Sequence, residues 1–153
     1  MKWAALITWV ITALGGFALL SIWLQRGGMR QRDEPGRRIR PQLIFGHFGL
    51  AATGLVLWII YLIVGSDGLA WVAFVLLAVV AVLGFSMFAL WLQRRQAAQA
   101  APAAAGGAGQ GAVRAEGPQP AEQHFPLSFV GGHGVLAAAT LVLVFLTAVG
   151  VGS

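Results

Sequence analysis

Two of the three histidines in this sequence, His47 and His133, are the residues whose type and placement best suit chemistry. They are the only acidic or basic side chains inside the long apolar runs of the chain. An ionisable residue inside such a run is costly to bury and typically marks a functional site or a polar contact between helices. Two neutral imidazoles on facing helices can hold the iron of a haem. Whether the two histidines can act in this way depends on how the apolar segments that carry them are arranged.

Other catalytic chemistry has little support in the sequence. The chain has no cysteine, which excludes disulfides, iron–sulfur clusters, thiolate zinc sites and cysteine nucleophiles. No nucleophile–base set, phosphate-binding glycine loop or acidic metal cluster is present, which favours an electron carrier or an accessory subunit over an enzyme. His124 lies beside an apolar run and is predicted to be interfacial; a three-histidine zinc site with His47 and His133 is disfavoured because no carboxylate lies near the pair.

Four apolar runs dominate the 153 residues, of which 58% are hydrophobic and 10% charged. A helix of about 20 apolar residues crosses the roughly 30 Å hydrocarbon core of a bilayer. None of the runs contains Asp, Glu, Lys or Arg, and their length without alternation favours helices over membrane strands. The sequence predicts an all-α, polytopic membrane protein and excludes a soluble globular enzyme. The predicted spans are Trp3–Leu24, Leu43–Val64, Leu69–Leu92 and Leu127–Gly150.

Arginines predict the orientation, because loops rich in Lys and Arg stay in the cytoplasm. The turn 65–68 and the C-terminal residues 151–153 carry none, so we expect a plasma-membrane protein with both termini outside. The arginine-rich loops would then be cytoplasmic and attract anionic lipid, and no fold module suggests nucleic-acid binding. These loops hold Arg26, Arg30, Arg32, Arg37, Arg38 and Arg40 in the first, and Arg94, Arg95 and Arg114 in the second.

Composition divides the chain into three parts. Residues 1–95 contain the first helical hairpin, its basic loop and the third span. Residues 96–123 are rich in Ala, Gly and Pro and predict a flexible cytoplasmic linker, because they cannot bury enough apolar area to order themselves. The third helix is expected to fray to about Ala101, just before Pro102. Residues 124–153 contain the fourth span.

The two halves of the chain resemble each other. The segment from Gly16 to Arg26 matches the segment from Gly84 to Arg94 at an offset of 68, and the segment starting at Gly46 matches the one starting at Gly132 at an offset of 86. We therefore predict a tandem duplication of a helical hairpin, with repeats at 3–64 and 69–150. Such parallel repeats are related by an axis along the membrane normal, which places His47 and His133 at equal depth.

The histidines are expected in the cytoplasmic half of the bilayer, about 6 and 9 Å below the starts of their spans at a rise of about 1.5 Å per residue. Small residues flank them, and these predict space for a flat ligand, with haem b held between the two imidazoles. The same small residues also allow close helix packing with no cofactor. The predicted cofactor-binding residues are His47, His133, Gly46, Gly49, Gly132 and Gly134, with the two histidines as the metal ligands.

One histidine on each of two helices of a four-helix bundle resembles the b-type haem membrane proteins, which include cytochrome b561-like proteins and the haem anchors of respiratory dehydrogenases. The resemblance implies an electron-transfer subunit with quinone or respiratory-chain subunits as partners. The chain departs from b561-like proteins because it has residues for one haem and not two. The alternative is a cofactor-free accessory or assembly subunit of a larger membrane complex, or of an oligomer.

Overall fold

The computed structural model describes residues 1–30, 39–104 and 120–151. These residues form four long α-helices and one short 3₁₀ helix. All four long helices are long and apolar enough to cross a membrane, as predicted. Their bounds are α1 Lys2–Gln25, α2 Pro41–Val64, α3 Asp67–Ala104 and α4 Leu127–Ala148, with the 3₁₀ helix Ala121–His124 before α4.

Local sequence explains where the helices begin and end. Pro41 occupies the first turn of α2 and Pro126 is the N-cap of α4, positions where the missing N–H of proline leaves no bond unmade. Gly65 ends α2 in the left-handed conformation, with φ of 72°, and its N–H donates to the carbonyl of Tyr61. Glycine adopts this conformation without steric cost, so α2 and α3 are joined by a tight turn.

The third helix is longer than its apolar run. It continues to Ala104, three residues beyond the end near Ala101 that the sequence suggests. Alanine has the highest helix propensity, and this segment is rich in it. Ala121 and Glu122, also within the predicted linker, are buried in the 3₁₀ helix. The remaining linker residues, 105–119, lie outside the described part of the chain.

The helices form a four-helix bundle in which α1 neighbours α2 and α4, and α3 neighbours the same two helices. The closest pairs are α2 with α3 and α1 with α4, so α2 and α4 stand on a diagonal. An aromatic and aliphatic core fills the end of the bundle that holds Met1 and the turn at Gly65, which we call the turn end. It consists of Ala5, Trp9, Trp58, Tyr61, Ala70, Ala73, Leu77 and Val144.

We call the opposite end of the bundle the loop end. There the chain leaves the bundle into two segments, one between α1 and α2 and one between α3 and α4. Trp23 and Trp91 are buried there, together with Ile39 and Ala121. Arg95 lies over the ring of Trp91, with its guanidinium carbon 5.3 Å from the ring centroid. The bundle interior thus has two bulky layers, and the histidines lie on the helices between them.

Candidate functional site

His47 and His133 meet in the interior of the bundle. Their helices, α2 and α4, are not neighbours, yet the centroids of the two imidazole rings lie 6.3 Å apart with the ring planes inclined at 60°. Both residues are half-buried. The structure therefore brings together the two histidines that the sequence singles out.

A backbone carbonyl on α1 fixes the ring of His133. Nδ1 of His133 lies 3.0 Å from the carbonyl oxygen of Thr12, and because a carbonyl can only accept, Nδ1 is the donor. A neutral imidazole that donates from Nδ1 keeps its lone pair on Nε2. Histidines that bind metals are typically held in this way, with the other ring nitrogen donating to a carbonyl or carboxylate.

His47 occupies the corresponding position against α3. The backbone of Val80 faces its ring, but Nδ1 of His47 is buried and forms no hydrogen bond within the described part of the chain. Val80 stands 68 positions after Thr12. The two imidazoles thus face each other from similar surroundings, each beside a backbone group of a neighbouring helix. They differ in that Nδ1 of His133 forms its hydrogen bond and Nδ1 of His47 does not.

Glycines on α1 and α3 lie directly against the imidazoles. A Cβ atom built on Gly16 would lie 3.0 Å from Cε1 of His133, and one built on Gly84 would lie 3.0 Å from Cε1 of His47. A Cβ atom built on Gly15 would lie 3.7 Å from Nδ1 of His133, which is an ordinary contact distance. Sequence reasoning did not assign these glycines to the site, although the repeat match that pairs Gly16 with Gly84 was the signal that could have identified them.

The glycines predicted to flank the cofactor have a different position. Gly46, Gly49, Gly132 and Gly134 are exposed on the outside of α2 and α4, and a Cβ built on any of them would have no atom within 4 Å. They lie one or two residues from the histidines along the chain, which on a helix turns them away from the direction of the imidazole. Their surroundings are the outer surface of the bundle and not the space between the rings.

Buried positions recur along the two halves of the chain. The buried residues of α1 have buried counterparts on α3 at an offset of 68, and those of α2 have buried counterparts on α4 at an offset of 86. His47 and His133 are also separated by 86 positions. The pairs are Ala5 with Ala73, Trp9 with Leu77, Thr12 with Val80, Trp23 with Trp91, Gly54 with Thr140, Trp58 with Val144 and Tyr61 with Thr147.

Two buried threonine hydroxyls adjoin the site on its turn-end side. Oγ1 of Thr12 and Oγ1 of Thr140 lie 3.4 Å apart. Each hydroxyl also has a nearer acceptor in its own helix, the carbonyl of Thr8 at 2.7 Å from Thr12 and that of Leu136 at 2.8 Å from Thr140, and these carbonyls compete for the single proton of each hydroxyl. The polar lining of the bundle interior therefore continues from His133 through Thr12 to Thr140.

An apolar groove of about 460 Å³ runs between α1 and α4 and reaches His133 from the side of the bundle. Leu14 and Phe129 on its rim are 63% and 50% exposed, as expected of side chains that face lipid in a spanning bundle. Ser128 adds a hydroxyl to its lining. The groove gives the site a lateral opening to the surrounding medium.

Within the described residues, no group of three or more His, Asp or Glu side chains could hold a metal ion. His124 lies exposed at the end of the 3₁₀ helix. A donor set of two imidazoles suits a metal that brings its remaining ligands with it.

Comparison of the chain with protein-family models, curated proteins and solved structures finds no match.

Proposed function

We propose that this protein is a membrane electron-transfer subunit that binds one haem b, with His47 and His133 as axial ligands. The observation that carries the proposal is the 6.3 Å separation of the two imidazole centroids. Metal–imidazole bonds are about 2.0–2.1 Å long, so two imidazoles on opposite sides of one ion have centroids roughly 6 Å apart. The Nδ1–carbonyl contact of His133 supports the same assignment because it leaves Nε2 free as the ligand.

The residues of the site have distinct tasks in this proposal. Haem would supply the four porphyrin nitrogens and the one-electron Fe(II)/Fe(III) couple of its iron, and the imidazoles of His47 and His133 would hold it. With both axial positions filled by protein, electron transfer is favoured over oxygen activation. Thr12 orients the ring of His133 through its carbonyl oxygen. Gly16 and Gly84 allow α1 and α3 to approach the imidazoles closely.

A duplicated helical hairpin would account for this pairing. The recurrence of buried positions at offsets of 68 and 86 supports it. So does the equal spacing at the two glycines: a Cβ atom built on Gly16 would lie 3.0 Å from Cε1 of His133, and one built on Gly84 would lie 3.0 Å from Cε1 of His47. In such a duplication a pseudo-twofold axis relates the halves. A residue near that axis in one half meets its equivalent in the other, so a single ancestral histidine would generate a symmetric two-ligand site.

The orientation and the partners belong to the same proposal. With the arginine-rich loops in the cytoplasm of a plasma-membrane protein, the site lies nearer the inner face and both termini lie outside. The lateral groove beside His133 suits approach of a lipid-soluble quinone, and subunits of a respiratory chain are the other candidate partners.

The alternative function is a cofactor-free accessory or assembly subunit. The exposed glycines of α2 and α4 favour it, because Gly46, Gly49, Gly132 and Gly134 leave open space in which a helix of another protein could pack closely. In that case the histidine pair would be a polar contact inside the bundle.

The visible spectrum of the purified, detergent-solubilised protein decides between the two functions. Haem ligated by two histidines gives a Soret band and sharp α and β bands after reduction with dithionite, and we expect these bands to be lost in His47→Ala and in His133→Ala. His124→Ala is the matched control and should keep them, because His124 is exposed and away from the pair. Colourless protein from haem-replete cells, with no iron by metal analysis, would support the accessory function.

A further inference from the structure

We propose that Glu122 is a positioning residue that sets the relative height of His47 and His133. The proposal rests on the haem site described above and assigns a role to a buried carboxylate that this site does not use. The side chain of Glu122 has no exposed surface, although it belongs to the short 3₁₀ helix at the loop end of the bundle. A carboxylate is almost never fully buried unless it is paired, so its partners indicate what it does.

Glu122 joins three separate segments of the chain. Its Oε1 accepts a hydrogen bond from the backbone N–H of Ile39 at 2.8 Å and another from Nη1 of Arg94 at 2.9 Å. Its backbone carbonyl accepts from Nε1 of Trp91, also at 2.9 Å. Arg94 and Trp91 both lie near the loop end of α3. One residue therefore connects the 3₁₀ helix to α3 and to the segment that leads into α2.

The connected segments are the starting points of the two helices that carry histidine. Ile39 lies just ahead of Pro41, the first residue of α2, and Glu122 lies shortly before Leu127, the first residue of α4. Because an α-helix rises by a fixed 1.5 Å per residue, the height of each histidine follows from the height at which its helix begins. The bond from Glu122 to Ile39 thus fixes the height of His47 relative to His133.

The carboxylate holds this position through one oxygen. Oε1 accepts both bonds, whereas Oε2 is buried and has no hydrogen-bond partner among the residues that the structure describes. The positioning role therefore requires a hydrogen-bond acceptor where Oε1 lies. In a Glu122→Gln variant the amide oxygen of the glutamine supplies that acceptor. Removing the side chain leaves the buried N–H of Ile39 without its acceptor and takes from Arg94 its ion pair with Glu122, which is unfavourable.

The test compares Glu122→Ala, Glu122→Gln and the control Gln123→Ala, a neighbour in the same 3₁₀ helix, in the intact haem-loaded protein. The first readout is hydrogen exchange of the Ile39 amide, which we expect to accelerate at least tenfold in Glu122→Ala. The second is the optical and EPR signature of low-spin, bis-histidine haem. It should fall by half or more in Glu122→Ala, persist in Glu122→Gln and remain unchanged in Gln123→Ala.

Unaltered low-spin haem in Glu122→Ala would overturn the inference, and so would unaltered exchange at Ile39. If the alanine variant does not assemble, Glu122→Asp takes its place, because a carboxylate one methylene shorter cannot reach both partners and should lose low-spin haem in the same way. Colourless wild-type protein would overturn the haem site and this role with it. A coloured wild type whose variants all keep their spectrum overturns the positioning role alone.

Discussion

Gly16 lies so close to the imidazole of His133 that a Cβ atom added to the glycine would be 3.0 Å from Cε1. An ordinary van der Waals contact of a Cβ atom is 3.4–4 Å long, so a larger residue at this position requires the ring or the helix to move by a few tenths of an ångström. Gly84 and His47 repeat the relationship on the other side of the bundle. The position of each proposed axial ligand is therefore limited by a glycine on a different helix.

We expect Gly16→Ala and Gly84→Ala to lower the haem content by at least half, because each new methyl group displaces one imidazole from its partner. Overpacking of this kind typically costs about 1–3 kcal/mol. The measurement is the Soret absorbance per mole of protein. Gly49→Ala and Gly132→Ala are matched controls, since a Cβ at either position meets nothing within 4 Å. Equal haem loss in all four variants would contradict a specific role for Gly16 and Gly84.

The hydroxyls of Thr12 and Thr140 should couple α1 to α4. Replacing either threonine by valine keeps the shape and removes the 3.4 Å contact between them. Hydrogen bonds between membrane helices average about 0.6 kcal/mol in double-mutant cycles. Because the proton of each hydroxyl has a closer carbonyl acceptor in its own helix, we expect a coupling no larger than this between Thr12→Val and Thr140→Val when unfolding is followed in SDS.

Thr53→Val is the control for the threonine cycle. Its hydroxyl donates to the carbonyl of Gly49 in its own helix and is exposed on the outside of α2. The change should leave the unfolding free energy unaltered within about 0.5 kcal/mol. An additive Thr12–Thr140 double variant would show that the contact contributes nothing to helix association.

Gly28 should be the least replaceable glycine at the loop end. A Cβ atom built there would overlap the indole ring of Trp23, which is buried. We expect Gly28→Ala to lower the unfolding free energy by more than 1 kcal/mol, because the ring and the chain leaving α1 cannot both keep their places. Gly46→Ala, in open space, serves for comparison in the same SDS titration; a Gly28→Ala variant as stable as this control would contradict the packing described.

The proposed orientation can be tested with single cysteines, because the chain has none of its own. Ser66 lies in the turn between α2 and α3, and Gln96 lies on the loop-end part of α3; both are exposed. In intact cells a membrane-impermeant maleimide should label Ser66→Cys, whereas Gln96→Cys should react only after the membrane is opened. The reverse pattern would place the arginine-rich loops outside.

Much of the fold was predictable because membrane spanning depends on local composition. A run of about 20 apolar residues identifies a spanning helix wherever it occurs, and the four predicted runs correspond to α1, α2, α3 and α4. The sequence suggested that α3 continues to about Ala101 but did not locate its end at Ala104, because composition alone does not distinguish an alanine-rich helix from an alanine-rich linker. The burial of Glu122 was missed because its partners, Ile39 and Arg94, are distant in sequence.

The sequence by itself determined that four apolar helices are present, and it singled out two histidines within them. The tertiary structure alone decided that α2 and α4 stand diagonally, that their imidazoles face each other at 6.3 Å and that Gly16 and Gly84 are the glycines in contact with them. The physical reason is that helical periodicity defines which residues share a face of one helix, whereas the rotation of each helix about its own axis is fixed only by packing against its neighbours.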